Sequence, residues 1–177
     1  MPSIMNAGLL ILRLVLGLIF VAHGSQKLFG WFGGKGLAGQ SSLLERLGVR
    51  PAGFFALVSS LGEFFGGLGV AVGLLTSLAA AGILASMIVA MVKVQAPRGF
   101  WNSEGGIEWP LALAAVALAL GLMGPGAYSL DFALGLRLPQ PLTDLVILAG
   151  LAAVILFVIA QPASPKPPAS NEQAERR

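Results

Sequence analysis

The chain alternates between long apolar stretches and short segments rich in glycine, proline and charge. About 20 apolar residues of α-helix cross the core of a bilayer, and five stretches of roughly this length can be read in the sequence. They cover residues 8–31, 54–75, 78–94, 108–123 and 142–160. The pattern therefore predicts an all-α fold, a polytopic membrane helix bundle.

The connections between these stretches are mostly short, with one exception. Residues 32–53 form a long link that holds several glycines and charges, and residues 41–47 within it have the pattern of a short amphipathic helix at the membrane surface. Links of this length are often functional. We therefore expect this segment to do more than join two spans.

Composition supports the membrane assignment. Hydrophobic residues make up 56% of the chain and charged residues 11%, whereas soluble domains carry about 25% charged residues. Residues 1–160 are predicted to form one membrane-embedded domain. Residues 161–177 are rich in proline and polar groups, which predicts a disordered tail.

The chain has a net charge of +3, and most of its cations lie in loops and in the tail. No basic nucleic-acid-binding module is present, so binding of nucleic acid is not expected. Lys and Arg concentrate in the loops that share a side with the tail, while the opposite side holds only Arg137. This bias predicts an N-terminus outside and a tail in the cytoplasm. The first apolar stretch is long for a signal peptide, so we expect it to be retained.

The chain contains no cysteine and one histidine, His23. These counts exclude disulfides, thiolate chemistry and bis-histidine haem ligation within the chain. No dinucleotide-binding or P-loop motif occurs. We therefore expect no metal site and no cofactor bound through a recognisable motif.

Several ionisable side chains fall within or at the ends of the apolar stretches. Such groups are costly in lipid and usually face the bundle interior or reach toward an interface. With a rise of ~1.5 Å per residue, most of them lie in one half of the bilayer. This group comprises His23, Lys27, Glu63, Lys93 and Glu108. Arg13 lies in the other half, where Asp131 is the carboxylate at matching depth.

Each of these residues has a functional and a structural interpretation. Glu63, in mid-span, either pairs with a cation or stays protonated, and it is the first catalytic candidate together with His23. His23 could equally make one structural hydrogen bond, and Lys27 and Lys93 could reach toward the interface. Arg13 fits an ion pair or the capping of carbonyl groups. Glu108 fits a first-turn acid that the helix dipole favours.

Small residues of the second span predict a close helix contact. Gly62, Gly66, Gly69 and Gly73 follow a four–three–four spacing, which places them on one helical face. Glycines on one face let a neighbouring membrane helix approach closely. We expect that face to meet another helix.

Short motifs follow one another in a fixed order between residues 8 and 131. The first span carries Arg13-x3-Gly17-x2-Phe20-x2-His23-Gly24-x2-Lys27-Leu28-Phe29-Gly30, and the second carries Glu63-x2-Gly66-Gly67 with Gly73. Then come Gly99-Phe100-Trp101, Gly105-Gly106-x-Glu108, and Gly124-Pro125-Gly126 before Ser129-Leu130-Asp131. This ordered set resembles the DoxX family of small bacterial membrane proteins.

The resemblance implies a four-helix core in the bacterial cytoplasmic membrane, often found with redox partners. Relatives are described as the DoxD-type subunit of a thiosulfate:quinone oxidoreductase or as members of membrane oxidoreductase complexes. The apolar stretch at residues 142–160 adds a fifth, C-terminal helix to that core. Because the chain lacks cysteine, thiosulfate oxidation is not carried over.

Three functions compete. The first is a redox subunit that binds a quinone or a similar lipid-soluble molecule. Glu63 and His23 would exchange protons, Lys27 or Arg13 would stabilise an anionic quinol, and a partner protein would supply electrons. The second is a non-catalytic anchor or assembly protein for a soluble redox enzyme, and the third is a carrier of small solutes or protons. The sequence leaves the substrate, the electron donor and the oligomeric state open.

Overall fold

A computed structural model describes residues 3–136 and 139–161. The architecture of these residues is helical throughout. Five long helices are α1 (Ser3–Phe29), α3 (Ala52–Val72), α4 (Thr76–Val89), α5 (Glu108–Met123) and α7 (Gln140–Ala160). Two shorter ones are α2 (Gly36–Arg46) and α6 (Leu130–Ala133). The described residues contain no strand, so the all-α prediction is confirmed. Arg137 and the predicted tail from residue 162 onward lie outside the described residues.

The helices alternate in direction along the chain. Gly17 of α1 lies against Gly67 and Ala71 of α3, while Gly24 lies against Phe64, so α1 and α3 run antiparallel. The helix α4 follows α3 after a tight turn and is antiparallel to it. It is also antiparallel to α5, since Ser77 at its start donates to the carbonyl of Gly121 near the end of α5. The last helix, α7, runs parallel to α4, since Gly150 lies against Ala81 and Lys93, later in the same span, donates to Gln161 at the end of α7. The predicted four-helix core is thus α1, α3, α4 and α5, with α7 added on the outside of α4.

Four segments are long and apolar enough to cross a membrane. They are Ser3–Phe29, Ala52–Val72, Thr76–Arg98 and Pro141–Ala160. The remaining predicted span, Glu108–Met123, is a shorter apolar helix of 16 residues, or about 24 Å. A hydrocarbon core is about 30 Å thick. Length alone therefore supports four of the five predicted spans.

The turn between α3 and α4 comes earlier than the sequence pattern suggested. Gly73 has a φ of 69°, and the amide of Leu74 donates to the carbonyl of Gly69 at 2.8 Å. This arrangement closes a helix with a left-handed glycine. Thr76 and Ser77, which the sequence pattern placed in the turn, instead begin α4.

The helix α4 continues as a π-helical turn, Ala90–Gln95, and a final 3₁₀ turn, Ala96–Arg98. A π-helical turn has wider hydrogen-bonded rings than an α-helix and is frequent at functional sites. It changes the direction in which the following side chains project. In this turn Lys93 is 5% exposed rather than directed to solvent.

In α3, the glycine that meets α1 is not one of those predicted. A Cβ added at Gly67 would lie 2.6 Å from the amide nitrogen of Val21. Gly66 and Gly69 of the predicted face do meet α4, but a Cβ at Gly62 would have nothing within 4 Å. The face is therefore in contact with a helix over only part of its length.

The long connection between α1 and α3 is folded against the bundle. The predicted amphipathic helix is longer than expected and forms α2. Leu44 of α2 joins Val49 and Ala56 in a small buried cluster, and Phe157 of α7 packs against it. The rings of Phe55 and Phe157 lie 4.8 Å apart between their centres. Through this cluster, α2, α3 and α7 pack against one another at one end of the molecule.

Candidate functional site

The most unusual group in the bundle is the carboxylate of Glu63, in the middle of α3. It is 2% exposed. Its Oε1 atom accepts hydrogen bonds from Lys27 Nζ at 2.5 Å and from Ser86 Oγ at 2.6 Å. Its Oε2 atom is buried and has no hydrogen-bond partner. A buried carboxylate is thus held by an ammonium group and a hydroxyl, and its second oxygen has no hydrogen-bond partner.

Close helix packing produces this pairing. A Cβ at Gly24 would lie 2.5 Å from the backbone nitrogen of Phe64, so α1 passes α3 at near backbone contact beside Glu63. Lys27 follows Gly24 by three residues and therefore reaches the same level of α3. On the other side, Gly66 lies against Ala79 and Ile83 of α4, and Ser86 follows one turn later. Small residues on both sides of Glu63 thus bring its two donors within reach.

His23 lies on the same helix as Lys27 and is exposed. Its Nδ1 atom is 2.9 Å from the carbonyl oxygen of Ile19. Because a carbonyl oxygen only accepts, Nδ1 carries the hydrogen. The neutral ring therefore presents Nε2 as a hydrogen-bond acceptor. The structural hydrogen bond that the sequence analysis considered for His23 is present, and it uses one of the two ring nitrogens.

These residues line one large cleft of about 960 Å³. His23, Lys27 and Glu63 supply its ionisable groups, and Ser59, Ser86 and Gln95 add polar side chains. Most of the wall is apolar and comes from α3, α4, α5 and α7. Its members include Phe55, Val58, Leu113, Val146, Ala153 and Phe157. Such a mixture of apolar wall and few polar groups is typical of a small-molecule site.

Lys93 and Glu108 do not line this cleft. Lys93 donates to the backbone carbonyl of Gln161 at 3.4 Å, which joins the ends of α4 and α7. Glu108 is exposed and accepts from the backbone amide of Asn102 at 2.9 Å. Of the five residues predicted to share one half of the bilayer, the structure brings three into the cleft. The other two stabilise loops and helix ends nearby.

Arg13 lies at the opposite end of the bundle from the cleft. It is 1% exposed and donates to two backbone carbonyls, that of Pro125 at 2.6 Å and that of Tyr128. Its position is 14 residues before Lys27, or about 21 Å along α1. The structure thus supports the capping of carbonyl groups for Arg13. Arg13 is therefore too far from the cleft to contact a ligand there, whereas Lys27 lines it.

Asp131 is placed near Arg13, as the depth argument predicted, and the two interact electrostatically. Its carboxylate accepts from the backbone amides of Leu75 and Thr76, at 2.7 and 2.9 Å, and from Thr76 Oγ1 at 2.8 Å. These bonds satisfy amides at the start of α4, which have no partner within the helix. Asp131 therefore caps α4.

Two cleft residues were missed by sequence reasoning. Ser86 donates to Glu63, and one end of the Gln95 side-chain amide is buried without a partner. Their signal was weak, because serine and glutamine carry no charge. A hydroxyl or amide within an apolar span is nevertheless unusual enough to be examined for a buried partner.

Together the fold and site define a class: a polytopic helical membrane protein with a buried ion pair in an interhelical cleft. The model of the DoxX family matches residues 8–96, which cover α1 to the π-helical turn and include Glu63, Lys27, His23 and Ser86. The chain therefore belongs to the DoxX family. The helices α5 and α7 lie beyond the matched segment.

Two relatives are membrane proteins. One, from Mycobacterium tuberculosis, bears the name uncharacterized membrane protein Rv3486 and is 38% identical over 138 residues, covering 71% of this chain and 80% of the relative. The other, the inner membrane protein YqjF of Escherichia coli, is 27% identical over 133 residues, covering 74% of this chain and 95% of the relative. No solved structure matches the chain at a significant level.

Proposed function

We propose that this DoxX-family protein is the membrane subunit of an oxidoreductase system and that its cleft binds a quinone or a similar lipid-soluble redox carrier. One observation carries the proposal. A buried carboxylate, Glu63, has one oxygen free and stands in the wall of a cleft of about 960 Å³ that is otherwise mainly apolar. An apolar ring and tail fit such a wall, and an unpartnered buried carboxylate oxygen suits a polar ligand group.

The proposed chemistry assigns a role to each ionisable group of the cleft. Reduction of a quinone to a quinol takes up two electrons and two protons, and oxidation releases them. Glu63 and His23 accept or donate the protons, because both have a free acceptor atom. Lys27, at 2.5 Å from Glu63, stabilises an anionic ligand oxygen while a proton is in transit.

The electrons come from or go to a partner protein that carries its own redox cofactor. The sequence contains no recognisable cofactor-binding motif. The helix α2 and the loop before α5 lie at the same end of the bundle as Lys27 and Gln95, so a partner docking there would be near the cleft. We propose the cytoplasmic side for this end, because it holds most of the loop Lys and Arg residues.

The test is quinone-dependent redox activity in membranes that contain the wild-type protein, Glu63→Gln or His23→Gln at matched levels. We expect both variants to lose at least about tenfold in rate, because loss of a general acid or base typically costs 10²–10⁴-fold. The matched control is Glu45→Gln, the same chemical change at an exposed residue of α2, which should keep full activity.

Insertion and thermal stability of each variant are measured alongside activity. Loss of activity in stably inserted Glu63→Gln and His23→Gln supports the proposal. Equal activity in all four proteins, or no quinone-dependent activity in any of them, contradicts it. That outcome favours the second function, an anchor for a soluble redox enzyme, for which the carboxylate serves only to hold helices together.

A further inference from the structure

We propose, on the basis of the function proposed above, that the cleft prefers the reduced, hydroxyl-bearing form of its ligand. In quinone terms, it binds the quinol in preference to the quinone. The reason lies in the hydrogen-bonding sense of the groups that face the cleft. Two residues of the cleft wall, Glu63 and His23, each have an atom that can only accept a hydrogen bond and that no group of the protein occupies.

Glu63 is the first acceptor. Lys27 Nζ lies 2.5 Å from its Oε1 atom, an ion-pair geometry that holds the side chain as a carboxylate. Two donors already occupy Oε1, and Oε2 is buried without a partner. A ligand O–H satisfies Oε2. A quinone carbonyl at the same place would bring two oxygen lone pairs together, which is repulsive.

His23 is the second acceptor. Its Nδ1–H is used by the carbonyl of Ile19, so the neutral ring has only Nε2 to offer, and Nε2 accepts. The side chain is exposed along the same cleft wall. A second ligand hydroxyl, or a water bound to it, can donate there. A dione without hydroxyl groups has no hydrogen to give to either residue.

The remaining polar groups do not reverse this preference. Lys27 and the indole N–H of Trp109, which also lines the cleft, can each donate equally to a hydroxyl oxygen and to a carbonyl oxygen, since both accept. Gln95 has a buried unpartnered amide end, but rotation of the amide exchanges its donor and acceptor, so it satisfies either form. Discrimination between the two oxidation states therefore rests on Glu63 and His23.

The experiment measures which form the purified protein retains. The full chain in detergent is incubated without oxygen with an equal mixture of a decyl-substituted benzoquinone and its hydroquinone, and the retained ligand is analysed by chromatography. We expect the wild-type protein to retain the hydroquinone in about tenfold excess, the scale of one hydrogen bond to a charged group. Ala153→Phe, which fills the cleft wall, measures non-specific uptake, and Ala152→Phe on the adjacent position of α7 is its control.

Two variants test the residues. Glu63→Gln places an N–H donor beside the ligand, so the preference should fall toward equality or reverse in favour of the quinone. His23→Phe removes the second acceptor without changing the buried ion pair, and it should lower the excess of hydroquinone. The second variant keeps the test decisive if the first does not fold.

The outcomes separate this inference from the proposed function. One outcome is that the wild-type protein retains ligand and Ala153→Phe does not, but the retained ligand contains equal amounts of both forms or more quinone. That outcome overturns the inference and leaves the proposed function standing. An unchanged ratio in Glu63→Gln and His23→Phe also overturns it. If neither form is retained above the Ala153→Phe level, the proposed function itself fails.

Discussion

At the scale of single residues, the buried pair of Glu63 and Lys27 has the largest consequences. Removing two charges from water is costly, and the attraction between them offsets that cost only when both are present and well placed. Glu63 is 2% and the Lys27 side chain 26% exposed, so the carboxylate depends on its partner more than the ammonium does. Loss of Lys27 therefore leaves an uncompensated charge in the bundle.

The dependence of Glu63 on Lys27 predicts how the free energy of unfolding changes when Lys27 is replaced. Lys27→Met should lower the free energy of unfolding by about 3 kcal/mol, because removing one partner of a buried pair typically costs 3–5 kcal/mol and Lys27 is partly exposed. The double variant Lys27→Met with Glu63→Leu should recover most of that loss, since it leaves no buried charge. Thermal unfolding in detergent measures both. A single variant as stable as the wild type would show that Glu63 does not need its partner.

Arg13 shows why some residue-scale contacts escape sequence reasoning. Its depth and its match to Asp131 were predictable from the helical rise. Its hydrogen-bond partners are backbone carbonyls 112 and 115 residues further along the chain. Every residue has a carbonyl group, so no side-chain pattern indicates which of them a guanidinium will reach.

At the scale of helices, the contact between α1 and α3 positions the site. Gly17, Gly24 and Gly67 allow the two backbones to come together, and this approach places Lys27 beside Glu63. The four–three–four glycine spacing correctly indicated that α3 meets a neighbour. It did not identify Gly67, because Gly62 fits the same spacing yet lies against the open cleft.

The difference between the two glycines is testable. Gly67→Ala should destabilise the protein by about 2 kcal/mol, within the usual 1–3 kcal/mol for overpacking, since the new Cβ would lie 2.6 Å from the backbone of α1. Gly62→Ala on the same helix has nothing within 4 Å of the new Cβ and should be neutral or stabilising by up to about 1 kcal/mol. Unfolding in detergent compares them. Equal effects would contradict the assigned interface.

At the scale of the whole molecule, α7 forms part of the cleft wall. The ionisable residues of the cleft all lie in the segment that matches the DoxX family. The family match ends at residue 96, and α7 contributes Val146, Ala153 and Phe157 to the cleft wall. The part of α7 that lines the wall contains no ionisable group. The fifth helix therefore sets the shape of the cleft and adds no charge to it.

The absence of cysteine in the sequence makes the orientation directly measurable. Single cysteines at Ser103 and Leu134, both exposed and at opposite ends of the bundle, are treated with a membrane-impermeant maleimide. With the N-terminus outside, Leu134→Cys should react in intact cells and Ser103→Cys only after permeabilisation. The cysteine-free parent gives the background. The reverse pattern would show that the chain is inserted the other way round.

The sequence by itself determined the five long helices, their order and the level of each ionisable group along its helix. Apolar length and the helical rise suffice for these properties because they are local. The tertiary structure decided the rest: that Glu63 pairs with Lys27 and not Lys93, that Ser86 completes the pair, and that Lys93 and Glu108 lie outside the cleft. Those choices depend on which helices are neighbours and how each is rotated about its axis. Both follow from the packing of glycines between helices far apart in the chain.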